Sequence, residues 1–287
     1  MKTLKTFLAL AVFCLLTTAT VSAQDNSLLY KVEGNGIKTS YIFGTFHILP
    51  KEDFVLKNKV KKAFNSSELV VMELDMDDPN FQSAMMGMSM IPGEDSLENH
   101  MTAKEYKILD DYLTTKMGVG MANFDKMKPF VVSSMLLIAH IGKDMASYET
   151  TFMAMAKESS QEIKGLETIE FQTAVYDGQS YEDQIDDIIK MLTKDGGLGG
   201  NFDKMIALYK TEDIERLYAT MAEFFEYDKE MQEKLLDERN QNWIPKIGEY
   251  SKDQEVFYAV GAGHLGGEQG VVKLLRETGY TVTPVID

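Results

Sequence analysis

Cysteine is almost missing from this chain. Of 287 residues only Cys14 carries a thiol, so no intramolecular disulfide framework can hold the fold. Positive charge is scarce too: 29 Lys and Arg stand against 45 Asp and Glu, a net charge of −16. A polyanion would be repelled by that field, which sets nucleic acid aside as a partner. With 6 Pro and 21 Gly, a collagen-like or low-complexity chain is excluded. Past residue 23 no apolar run approaches the roughly 20 residues that cross a bilayer, so no membrane span is expected in the mature chain. No Gly-x-Ser-x-Gly elbow occurs, which removes that kind of serine nucleophile. What remains, 44% hydrophobic and 26% charged, is a globular chain long enough to bury a sizeable core.

The first 23 residues read as an address. Lys2 and Lys5 form a positive start, residues 7–16 an apolar stretch, and Val21-Ser22-Ala23 a small-residue cleavage site before Gln24. That layout is a secretory signal peptide, and it predicts a periplasmic or secreted protein. Phe13 precedes Cys14, where a lipoprotein signal needs a small residue, so lipidation is not expected. Cleavage would remove Cys14 and with it any cysteine nucleophile.

Strand and helix then alternate. Residues 28–33 and 39–43 read as strands joined at Gly34-Asn35-Gly36, a strong hairpin signal. Residues 52–64 have the period of an amphipathic helix, with Leu56, Val60, Ala63 and Phe64 on one face. Residues 69–74 form a continuous apolar run, as in a strand covered on both sides. Residues 80–158 and 168–250 are mostly helical in period, with a short strand at 161–165 between them. Residues 255–260 read as a strand, 268–278 as a helix and 281–286 as a last strand. The run 196–200, Gly-Gly-Leu-Gly-Gly, reads as a loop or hinge. The pattern predicts one α/β domain over 24–287. A mixed central sheet is built from both chain ends, and a large, mostly helical insertion occupies about 78–250.

Histidine is rare as well, with four in the chain, and two follow strands in matching contexts. An apolar strand runs into Gly44-Thr45-Phe46-His47, and another into Gly261-Ala262-Gly263-His264. In open α/β sheets the ligand crevice lies beyond the carboxyl ends of the strands. Gly44 and Gly263 would let the backbone come close to a ligand there. The strand at 69–74 brings Glu73, with Asp75 on the same side, to that edge. Two imidazoles and one or two carboxylates on one rim suit a divalent cation with open positions. Alternatively, each histidine caps a helix or satisfies a buried carbonyl.

Gly261-x-Gly263-x-x-Gly266 matches the dinucleotide fingerprint, following a strand and opening a helix. Too few residues follow it to complete such a fold, though an anion contact at that helix start stays open. Arg239 could steady an oxyanion or pair with a helix neighbour. Glu167 could sit on the rim or be a surface acid before a Thr168 cap. His100 and His140 read as surface or structural residues. Met85, Met86, Met88 and Met90 read as a pliable apolar face rather than a copper site. The acids at 182–183 and 186–187 read as a solvated helix face.

Five stretches taken in order resemble the TraB/GumN family, which also includes the animal Tiki proteins. They are Phe43-Gly44-Thr45-Phe46-His47, the run at 70–75, Gly165-Leu166-Glu167-Thr168, Glu238-Arg239-Asn240, and Val260-Gly261-Ala262-Gly263-His264-Leu265 with its tail at 279–282. The resemblance implies an α/β fold like that of the erythromycin esterases and the haem-binding ChaN proteins. For Tiki-like members it implies metal-dependent peptide hydrolysis by the two Gly-x-x-His motifs and a glutamate, here His47, His264 and Glu73.

The expected function is therefore an exported metal-dependent peptidase. His47, His264 and Glu73 would hold Mn²⁺, Co²⁺ or Zn²⁺, with Glu73 as third ligand or as base. Arg239 would act on the oxyanion, and Glu167, Asn240, Gly44 and Gly263 would contact a peptide or small-molecule substrate. Two other readings keep the same rim. One is a metal-free esterase with histidine as general base. The other is a binding protein for a peptide, haem or iron, with the Met-rich helix as a groove wall.

Overall fold

The computed structural model describes residues 26–194, 196–224 and 229–287. The expected signal peptide, residues 1–23, lies outside the described residues. In chain order the elements are β1 (Leu29–Glu33), β2 (Ser40–Thr45), β3 (Leu49–Pro50), α1 (Asn58–Ser66), β4 (Leu69–Leu74), α2 (Phe81–Ser89), α3 (Ala103–Met117), α4 (Pro129–Ile141), β5 (Met145–Ala146), α5 (Tyr148–Ser159) and β6 (Glu162–Glu167). After them come α6 (Ile169–Ala174), α7 (Tyr181–Thr193), α8 (Gly197–Tyr209), α9 (Ile214–Phe224), α10 (Lys229–Gln232), α11 (Glu238–Tyr250), β7 (Val256–Gly261), α12 (Val271–Glu277) and β8 (Thr281–Pro284).

Six strands form one sheet in the order β6-β4-β7-β2-β1-β8. β6, β4, β7 and β2 are mutually parallel, and β1 runs antiparallel to both β2 and β8. The sheet is thus mixed and drawn from both ends of the chain, with helices between. β1 turns into β2 through Gly34, Asn35 and Gly36, all at positive φ (93°, 46° and 76°). Glycine enters that region without steric penalty, and asparagine more readily than most residues.

The apolar pattern decides where the sheet lies. Every residue of β7 is buried, and so are the first four of β4. Strands covered on both faces must be apolar throughout. Successive side chains of β7 point to opposite layers. Phe257 packs on Phe64 and Phe152, at ring distances of 5.3 and 5.0 Å, against α1 and α5. On the other face the Tyr258 hydroxyl donates to Ile247 O of α11 at 3.0 Å.

Three local expectations are corrected. The helix expected over 52–64 begins only at Asn58. The preceding chain is held open because Phe54 packs on Tyr148 at 4.6 Å and Val55 O accepts from the Tyr148 hydroxyl at 3.0 Å. The glycine run at 196–200 is not a loop but the cap and first turn of α8. There Gly199 serves close packing: a Cβ on it would lie 2.4 Å from His140 Cε1. The helix expected from 268 starts at Val271, after Gly267 at φ +86° and a Gly270 that abuts the carbonyl of Gly266. The glycine fingerprint therefore does not open a helix. It encloses instead the single turn Ala262–His264.

Candidate functional site

Parallel strands share one carboxyl edge. β2 ends at Thr45 and β7 at Gly261, paired with each other in register. His47 follows β2, and the turn Ala262–His264 folds His264 back over the same edge. β4 delivers Glu73 as its fifth residue, and β6 ends at Glu167. The topology thus brings together side chains that lie far apart in sequence.

Gly261 marks where they meet. Its φ of −54° suits any residue, so the backbone does not demand glycine. Space does. A Cβ there would lie 3.2 Å from Glu73 Oε1, 3.4 Å from His47 Nε2 and 3.6 Å from His264 Cδ2. The two imidazoles are therefore no more than about 7 Å apart at these atoms, the sum of their two distances.

Each imidazole is held through Nδ1. His264 Nδ1–H donates to Asn240 Oδ1 at 2.7 Å, and Asn240 is oriented by its own donation to Gln269 O at 2.8 Å. An amide oxygen only accepts, so His264 Nε2 keeps its lone pair. That atom faces Glu73 Oε1 at 4.0 Å. Burial, helped by the Arg239 cation, pushes the His264 pKa down to about 3. Its ring is neutral at neutral pH.

His47 differs. Its side chain is 65% exposed, and its Nδ1 lies 2.9 Å from Glu149 Oε1. The dense rim disfavours the cation, but the hydrogen bond and charge of Glu149 outweigh that and raise the pKa to about 9. Water in the open cleft screens these charges, which weakens both effects.

Glu73 is saturated. Oε1 accepts from Gly261 N–H at 2.7 Å. Oε2 accepts from Gln172 Nε2 at 2.9 Å and from Arg239 Nη2 at 2.7 Å. Burial alone would raise its pKa, but Arg239 and the two imidazoles hold it far below the usual carboxylate range.

Arg239 stands behind that carboxylate. Its Nε donates to both oxygens of Glu167 at 3.0 Å, its Nη1 to Leu235 O at 3.0 Å, and its Nη2 to Glu73. Trp243 Nε1 donates to Glu167 Oε1 at 2.8 Å, and the Trp243 ring packs on His264 at 4.4 Å. One turn of π-helix, Glu233–Asp237, precedes Arg239, a feature frequent at functional sites.

The residues named from sequence therefore fall into two shells. His47, His264 and Glu73 come together around Gly261. Arg239, Asn240 and Glu167 lie one layer deeper, and the Glu167 side chain is only 2% exposed. Gly44 and Gly263 serve packing: a Cβ would meet Leu265 Cδ1 at 2.7 Å in one case and Met221 Cε at 2.4 Å in the other. Asp75 lies past the end of β4 and meets Asp77 rather than the imidazoles. Burial and that contact push its pKa up to about 6. His100 pairs with Asp95 and Glu182, His140 lies against α8, and neither lines the cleft. The cleft itself, about 290 Å³, has Glu149, Ser147 and Gln172 beside His47 and Glu73, and an apolar wall that includes Met72, Met76 and Phe81.

The family profile described as TraB/PrgY/gumN matches residues 28–284. The chain belongs to that family. It is 24% identical over 322 residues to Metalloprotease TIKI2 of Danio rerio, covering 91% of this chain and 62% of the relative. It is 22% identical over 318 residues to Metalloprotease TIKI1 of Homo sapiens, with the same 91% and 62% coverage. The chain thus spans about three fifths of the length of these curated relatives. No solved structure matches.

Among the described residues of this TraB/PrgY/gumN chain, no three His, Cys, Asp or Glu side chains form a ready-made cation cage. The donor chemistry at Gly261 nonetheless fits a divalent cation. A neutral imidazole, a second imidazole open to the cleft and an ionised carboxylate border one space that a methyl group would fill. Three residues of this layer were not found from sequence: Glu149, Gln172, and Thr45, whose hydroxyl donates to Glu149 Oε1 at 2.7 Å. Glu149 and Gln172 sit in helices and belong to no motif themselves. Only Thr45 could have been suspected, from its place inside Gly44-Thr45-Phe46-His47.

Proposed function

We propose that this protein is a metal-dependent hydrolase that cleaves peptides, with His47, His264 and Glu73 as the ligands of one divalent cation. The observation that carries this reading is the convergence of both imidazoles and Glu73 on the space beside Gly261. The names of the Tiki relatives support the reaction class. When bound, the cation would polarise the scissile carbonyl and acidify water.

The chain's own groups divide the remaining work. Glu73 fits a ligand better than a base. Three donors already hold its charge, and its pKa lies far below that of a useful proton acceptor. Arg239 orients Glu73 and balances its charge. Its donors point at protein acceptors, so we assign it a positioning role in place of the oxyanion role expected from sequence. Asn240 keeps the lone pair of His264 Nε2 aimed at the site. The apolar wall of the cleft would receive a substrate side chain, while the open side admits the backbone.

A metal-free hydrolase has one observation in its favour. His47 Nε2 faces an open cleft while Nδ1 is held by a carboxylate, the arrangement of a general base. We also propose export: residues 1–23 are removed and residues 24–287 work as one domain outside the cytoplasm.

The test is calorimetric titration of purified protein with Mn²⁺, Co²⁺ and Zn²⁺, beside cleavage of a peptide library. Wild type should bind one equivalent and cleave peptides, and His47→Ala or His264→Ala should do neither. Cleavage that persists in excess chelator would favour the metal-free base. Binding of peptides without cleavage would favour a binding protein.

A further inference from the structure

His47 is the exposed ring of the pair, and its hydrogen-bond partner, Glu149, lies in a distant helix. Glu149 sits in the first turn of α5, behind the Ser147 cap. Its Oε1 receives His47 Nδ1–H at 2.9 Å and the Thr45 hydroxyl at 2.7 Å. Its Oε2 receives the Ser147 hydroxyl at 2.8 Å. The carboxylate is itself nearly buried, with 13% of its side chain exposed, whereas the ring it holds is 65% exposed. A ring so open to water, without a fixed partner, would rotate and exchange tautomers. Pinned at Nδ1, it keeps its proton there and presents Nε2 toward Gly261, 3.4 Å from the space a Cβ would take. The His264 ring is held in the same way by Asn240.

We propose that Glu149, braced by Thr45 and Ser147, is the positioning residue of His47. It selects the Nδ1–H tautomer and aims Nε2 into the cleft. The role rests on His47 acting at this site, as ligand or as base, and does not depend on which. A residue that orients a ligand from behind typically changes metal affinity by about 10- to 100-fold.

Comparison of Glu149→Gln with Glu149→Ala isolates the geometry. Both lose the charge, but only glutamine offers an oxygen to Nδ1–H. Long-range proton–nitrogen spectra of the metal-free proteins at about pH 10, where imidazole is neutral, report the His47 tautomer. Wild type and Glu149→Gln should show Nδ1–H, and Glu149→Ala should shift toward Nε2–H. Calorimetric titration with Mn²⁺, Co²⁺ and Zn²⁺ should show the alanine variant binding about 10- to 100-fold more weakly than the glutamine variant. Should Glu149→Ala fail to fold, Glu149→Asp replaces it. Aspartate keeps the charge but withdraws the carboxylate, and should lose the Nδ1–H preference too. An unchanged tautomer in a folded alanine or aspartate variant would overturn the proposal, as would equal affinities for the glutamine and alanine proteins. If wild type binds no divalent ion, the metal reading fails, and the tautomer alone decides the role of Glu149.

Discussion

Gly261→Ala should separate folding from metal binding. The substitution adds one methyl group at a φ of −54°, where alanine is at ease. The methyl would lie 3.2 to 3.6 Å from Glu73 Oε1, His47 Nε2 and His264 Cδ2. Only the contact with Glu73 is tight, needing a shift of a few tenths of an ångström, and the other two are ordinary van der Waals distances. Stiffening the unfolded chain offsets part of that strain, since a compatible Gly→Ala change gains about 0.4–1 kcal/mol. The melting temperature in chelator should therefore stay close to that of wild type. Metal binding should not survive. Ligand bonds are only about 2 Å long, and the methyl occupies the space that the three donors border. A loss of at least about 100-fold, or roughly 3 kcal/mol, should appear in calorimetric titration with Mn²⁺, Co²⁺ or Zn²⁺. A folded Gly261→Ala protein that binds the ion like wild type would refute the placement of the site beside Gly261.

Four further outcomes are expected. Arg239→Ala leaves Glu73 and Glu167 buried side by side without their shared cation, so denaturant unfolding should show a loss of about 3–5 kcal/mol, and metal binding should weaken as well. Acid should destabilise the metal-free protein from about pH 6.5 downward. The His264 pKa is depressed to about 3 and that of Glu73 is depressed too, so each contribution is present above its ordinary pKa and fades as pH falls. His264 alone implies about 1.4 kcal/mol per pH unit, and a flat profile of melting temperature between pH 7 and pH 4 would contradict it. Metal affinity should rise with pH toward about 9, because the proton on His47 competes for the same nitrogen, and titrations at several pH values check this. N-terminal sequencing of protein from its native host should read from Gln24, and a retained Met1 would exclude the proposed export.

The sheet was legible because strands buried on both faces betray themselves. β7 is apolar throughout and β4 as far as Met72, and Gly34-Asn35-Gly36 marks a tight turn by chemistry alone. The rim was legible through repetition, since two strands end in Gly-x-x-His on a shared edge. What escaped depends on contacts between distant segments. Nothing near Glu149 or Gln172 shows that α5 and α6 pass beside β2 and β4. The engagement of Arg239 by Glu167 and Glu73 appears only once β6, β4 and α11 are assembled. The glycines at 196–200 resemble a hinge until the imidazole of His140 is seen to need the space left by Gly199.

The most direct measurement is the metal content of the purified protein combined with its turnover. One equivalent of Mn²⁺, Co²⁺ or Zn²⁺ per chain is expected, with peptide cleavage that stops in chelator, returns on adding the ion and is absent in His264→Ala. Peptide cleavage that is indifferent to chelator, or a wild-type protein that takes up no divalent ion, would contradict the assignment of His47, His264 and Glu73 as its ligands.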